Sequence, residues 1–215
     1  THPNTPRLSF AHLLKSEAIK ILTLRSTWWS LGVTAALSVG ISLLIALATS
    51  GMGGGMEPTN VILAPTQFTM LVAGILGAIV VTGEYSTGMI RSTLTAEPRR
   101  GAVLLAKALV VAVTMMVTTV IIYAVAIAAT APLLGGTGID WATPADSIVP
   151  LALGMLSMAC FTLMGVGFGF VLRSGAGAIA VTVGVLFVLP IMLSLFSIAG
   201  PDWMWVVEAG KYLPV

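Results

Sequence analysis

Five apolar stretches dictate what this chain folds into: residues 28–49, 65–83, 102–129, 148–172 and 175–199. Crossing the hydrocarbon of a bilayer takes ~20 apolar residues at about 1.5 Å of rise each, and each stretch meets or nearly meets that length. Water is absent there, so every backbone N–H and C=O must be paired within the protein, which leaves helices or a closed barrel. No alternating pattern suggests a barrel. Only 8% of the 215 residues are charged, against about 25% in soluble domains. The expected fold is therefore an all-α polytopic membrane bundle, a single domain over residues 1–215 with five visible spans.

Residues 7–26 precede the first span. Phe10, Leu13, Leu14, Ala18, Ile21 and Leu22 recur at helical spacing, with His12, Lys15, Ser16, Lys20 and Thr23 on the other side. A basic amphipathic helix beside a span lies in the membrane interface with its lysines toward anionic headgroups, either as a plain anchor or as a docking element. Lys15, Lys20, Arg99 and Arg100 are the expected headgroup or partner contacts. The first 25 residues lack the basic start and apolar core of a secretory signal. Trp28 and Trp29 open the first span as an aromatic anchor.

Lys and Arg set the orientation. With the N-terminus in the cytoplasm, that side receives Arg7, Lys15, Lys20, Arg25, Arg91, Arg99, Arg100, Lys107 and Arg173. The other side receives Lys211 with Glu57, Asp140, Asp146, Asp202 and Glu208. This asymmetry predicts a cytoplasmic N-terminus in a cell membrane. Residues 50–64 and 130–147, both with glycine clusters, are then outer loops, and residues 200–215 form an outer interfacial segment carrying Trp203 and Trp205. Cys160 is the only cysteine, so no internal disulfide is possible.

Several chemistries have no residues to stand on. No GxxxxGK[ST] loop occurs, so the chain has no nucleotide site of that type. His2 and His12 are the only histidines, which leaves no metal cluster or Ser-His pair within the spans. Gly165, Gly167 and Gly169 lie inside an apolar run, where they read as small-residue helix packing rather than a dinucleotide fingerprint. Mid-membrane carboxylates, the usual equipment of ion-coupled transporters, are missing; Lys107 is placed about one turn inside the third span. No catalytic, cofactor or metal residues are expected, and no nucleic-acid partner.

One polar island remains, residues 84–100, reading EYSTGMIRSTLTAEPRR. On a helix starting at Thr82 or Gly83, Glu84, Gly88 and Arg91 share a face, with Tyr85, Met89 and Ser92 beside it. Glu84 then falls in the first turn, where the helix dipole favours an acid, and Pro98 stops the helix. A solvated loop with headgroup-binding arginines is the plainer reading of the same residues.

GEYSTGMIRSTL followed by PRR and a long apolar helix resembles the permeases of type-2 ATP-binding-cassette (ABC) exporters, particularly actinobacterial ones. LKSEAIK at residues 14–20 and RSTWW at residues 25–29 resemble that family's amphipathic helix and first span. The resemblance implies that residues 84–100 are a cytoplasmic coupling helix and loop docking on a separate ATPase, with Glu84, Tyr85, Gly88 and Arg91 as the coupling positions. It also implies a second permease copy, identical or not, and a substrate path between the two; ATP and Mg are expected on the partner chain. The family has six spans; the sixth is expected but absent from these 215 residues. Uncharged spans suit an apolar or amphipathic cargo such as a drug, peptide or lipid. The alternative is an accessory membrane subunit without transport of its own.

Overall fold

The computed structural model describes residues 10–50, 56–90, 95, 100–134, 139–195, 205 and 208. Every regular element among them is helical. In chain order these are α1 (Phe10–Thr23), α2 (Arg25–Ser50), α3 (Pro58–Leu63), α4 (Thr66–Ser86), α5 (Arg100–Thr130), α6 (Ile148–Leu172), α7 (Gly175–Val183), a π-helical turn (Gly184–Val188) and α8 (Leu189–Leu195). Five segments are long and apolar enough to cross a membrane: Arg25–Ser50, Pro58–Ser86, Gly101–Thr130, Ile148–Leu172 and Gly175–Leu193. The glycines at 51–55 and 135–138, the tail before Phe10 and most of residues 196–215 lie outside the described residues.

Proline shapes two of the spans. The second begins earlier, because Pro58 occupies the first turn of α3, where its fixed φ and missing N–H cost nothing. Thr59, Val61 and Ile62 are buried, so this stretch of the expected outer loop is part of the bundle. Pro65 then interrupts the backbone ladder and separates α3 from α4. In the fifth span, the ring of Pro190 would clash with the carbonyl four residues back in an ideal α-helix. The preceding turn widens to a π-helix, with the Leu189 N–H donating to the Gly184 carbonyl.

The centre of the bundle is the close pairing of α4 with α6. Membrane helices gain no hydrophobic drive from packing against each other, so close approach depends on small residues. Gly74, Gly77 and Ala78 of α4 face Thr162, Gly165 and Gly169 of α6. A Cβ on Gly165 would run into the Gly74 carbonyl, one on Gly77 into the Thr162 carbonyl, and one on Gly169 would lie 2.9 Å from the Val81 Cβ. Gly167 points away from the pair, with nothing within 4 Å. The core around this seam includes Met70, Leu76, Val80, Val81, Met158, Phe161 and Val166, joined by Val111 and Met115 of α5. The side chains left outside, such as Leu44, Leu105, Ile121, Leu153 and Val171, are those a lipid environment accepts.

The seam predicts a sharp contrast between two neighbouring glycines. Gly165→Ala should lower stability by about 1–3 kcal/mol, the usual cost of overpacking, whereas Gly167→Ala should leave it unchanged or slightly higher. Thermal unfolding in detergent reads the difference; equal unfolding temperatures for the two variants would contradict this packing.

Candidate functional site

One end of the bundle gathers α1, the last turn of α4, the start of α5 and the short α6–α7 turn. Its centre is Lys107, about two turns or ~10 Å into α5 from Arg100, with its side chain almost wholly buried. A lone buried ammonium at that depth would lose its charge or stay hydrated. Here two carboxylates hold it. Lys107 Nζ donates to Glu17 Oε2 at 2.6 Å and to Glu84 Oε1 at 2.9 Å. Lys20 Nζ bridges the same two acids, 2.7 Å from Glu17 Oε1 and 3.0 Å from Glu84 Oε1. Two acids and two bases cancel in charge, which is what permits their burial beside apolar helices.

The local sequence explains each placement. Glu17 sits on α1 four residues from both Leu13 and Ile21, within the stripe that α1 turns toward α5, and is itself buried. Burial opposes its ionised form, but the Lys107 and Lys20 ammonium groups outweigh that and hold its carboxyl below the usual range. Burial likewise opposes the charged form of Lys20, and the hydrogen bonds it donates to Glu17 and Glu84 outweigh that and raise its pKa. Both groups therefore carry their charges at neutral pH. Among the described residues, none hydrogen-bonds Glu84 Oε2. A cavity of about 270 Å³ adjoins the cluster between α1 and α4, and Lys20, Glu84, Thr87, Met89 and Lys107 all contribute to its lining.

Helix α4 ends differently from the sequence expectation. Residues 82–97 do not form one helix with Glu84 in its first turn. Glu84 stands in the last turn of α4, where the helix dipole disfavours an acid, and the two lysines offset that. The ladder runs as far as Thr87, whose N–H and Oγ1 both donate to the Gly83 carbonyl at 3.1 and 2.8 Å. Gly88 follows at φ 71°, the left-handed position that glycine takes after a helix end. Met89 and Ile90 resume helical geometry, so the break at Gly88 separates Glu84 and Tyr85 from the described residues that follow.

The structure thus joins some expected residues and separates others. Glu84 and Lys20 meet, and Lys20 is turned inward onto carboxylates instead of out to headgroups. Lys15 is exposed on α1, and Gly88 is exposed at the bend. Arg91 and Arg99 lie outside the described residues, as does the side chain of Arg100. Tyr85 is half-buried and points away from the cluster: its ring meets Phe170 of α6 edge-on at 6.4 Å, and the Arg173 guanidinium lies over it at 6.0 Å. Arg173 caps α6 at φ 52°, a left-handed conformation costing a non-glycine residue about 1–2 kcal/mol.

Glu17, which sequence reading passed over, is as central as Glu84. Lys107, placed about one turn inside the third span, is buried and paired with both carboxylates. Removing Lys107 leaves two buried carboxylates underpaired, so Lys107→Met should destabilise the protein by roughly 3–5 kcal/mol. The neutral double variant Glu17→Met with Lys107→Met should recover at least half of that loss. Thermal unfolding of the four-member cycle in detergent measures the coupling; strictly additive effects would show that the two side chains do not interact.

Residues 13–196, which include the charge cluster, all five spans and the Arg173 turn, match the family described as ABC-2 family transporter protein. No curated protein and no solved structure matched the chain. Such family members are normally non-catalytic membrane subunits that associate with an ABC ATPase. With the match covering most of its length and all of its spans, the chain belongs to the ABC-2 transporter family and is a multi-pass permease subunit of an ABC transporter.

Proposed function

We propose that this permease is the membrane half of an exporter driven by a separate ATPase that docks at the end of the bundle holding the charge cluster. The N-terminus and residues 84–100 lie in the cytoplasm, and the protein resides in the plasma membrane. Two permease copies, identical or related, flank the cargo path, and ATP and Mg bind on the partner chains. The cargo is apolar or amphipathic: a drug, peptide or lipid.

The observation that carries this reading is the convergence of α1, α4 and α5 on Lys107 directly beside the polar island. An ATPase acting on residues 84–100 moves the end of α4. Through Glu84, Lys20, Glu17 and Lys107 that displacement reaches α1 and α5 over contacts of 2.6–3.0 Å. Support for the orientation comes from charge. Lys15, Lys20, Arg25, Lys107 and Arg173 sit at this end, whereas Glu57, Asp140 and Asp146 sit at the other, as the bias of basic residues toward the cytoplasm requires. Arg91, Arg99 and Arg100 on the island supply cations for acidic groups of the ATPase or for lipid phosphates.

Cysteine crosslinking in native membranes tests the docking surface. In a Cys160→Ser background, Thr87→Cys and Met89→Cys should capture a subunit bearing a P-loop, and Asp140→Cys should not. In the purified complex, Arg91→Ala should lower the turnover of the partner ATPase about 5-fold or more without shifting thermal unfolding. Capture of the ATPase from Asp140→Cys alone, or full turnover with Arg91→Ala, would overturn the reading.

A further inference from the structure

Arg173 is an unusual choice for its position. A chain leaving a helix in the left-handed conformation ordinarily uses glycine, which has no Cβ to clash. At the end of α6 the residue is arginine, at φ 52°. Helix α7 begins two residues later, its first turn capped by Ser174, whose Oγ accepts from the Gly177 N–H at 3.4 Å. Nothing in that turn requires a guanidinium. What the conformation achieves is outside the turn: it carries the Arg173 side chain across to the end of α4, over the Tyr85 ring at 6.0 Å, while Phe170 meets the same ring from its edge. Tyr85 is adjacent to Glu84, and consecutive residues on a helix point about 100° apart. Glu84 ties the end of α4 to α1 and α5; Tyr85 faces α6.

We propose that Arg173 is a positioning residue for Tyr85, and that the Arg173–Tyr85–Phe170 stack is a second coupling contact, joining the island to the α6–α7 turn. The proposal rests on the ATPase-driven reading above and names a residue which that reading does not use. The glycine seam already holds the bodies of α4 and α6 against each other. The stack extends the hold to the helix ends beside the island, so that a push on residues 84–100 moves α4 and α6 together. Arginine suits this place better than lysine, because its planar cation lies flat on a ring face.

The backbone strain makes the test decisive. Arg173→Gly removes the left-handed penalty along with the guanidinium, so thermal unfolding of the variant should be unchanged or higher. If Arg173 merely ends a helix, Arg173→Gly will stimulate the partner ATPase as the native protein does. As a positioning residue its loss should cut stimulation of the partner ATPase about 5-fold or more, with ATPase binding retained. Arg173→Lys, which keeps a cation over the ring, should recover part of the response. Tyr85→Leu should cost as much as Arg173→Gly, and the double variant should cost little more than either. Full stimulation with Arg173→Gly, or losses that simply multiply in the double variant, would overturn the inference while leaving the ATPase reading intact. A native complex that shows no ATPase response would remove both.

Discussion

The basic end of this permease depends on the neutralisation of Lys107. An ammonium held almost completely out of water among apolar helices is tolerable only because Glu17 and Glu84 approach it from two different elements. Lys20 closes the arrangement by balancing the second acid. The consequence is mechanical as much as electrostatic. The amphipathic helix, the end of the second span and the start of the third share one set of hydrogen bonds, and none can shift far without exposing or unpairing a buried charge.

The opposite side of α4 is held by a different kind of force. Against α6 there are glycines and carbonyl oxygens too close for any Cβ, and the contact ends in an aromatic and cationic stack at Tyr85. One helix thus carries two attachments at the same end, charge pairing through Glu84 and stacking through Tyr85. For a subunit whose family works with a partner ATPase, this places both attachments next to the segment that resembles the coupling region of related permeases.

Much of this was legible in the sequence, because membrane spans follow from a local property, the length of an apolar run. Small-residue packing was visible in Gly165 and Gly169, though Gly167, in the same pattern, faces away. The start of the second span was missed because Thr59 and Asn60 read as loop residues, whereas Pro58 in fact opens a helix. The single helix drawn through residues 82–97 failed at Gly88, where a glycine after two hydroxyl residues was the available sign of a helix end. The charge cluster was harder to see. Its key contact joins residues 90 apart, and no periodicity within either segment reports on that pairing. One local signal did exist: Glu17 is an acid in the apolar stripe of a basic helix, four residues from Leu13 and from Ile21, a position that demands a cation from elsewhere.

The most direct test of this account is the distance between α1 and the end of α4 during turnover. Spin labels at Lys15→Cys and Thr87→Cys, in a Cys160→Ser background, report it in the complex with its ATPase, with and without trapped nucleotide. If the charge cluster makes these elements one body, the distance between the two labels within a copy stays unchanged between the two states while the complex hydrolyses ATP. A change in that distance on nucleotide binding would show that α1 and α4 separate, and would contradict the central claim that Lys107 holds them together as the machine works.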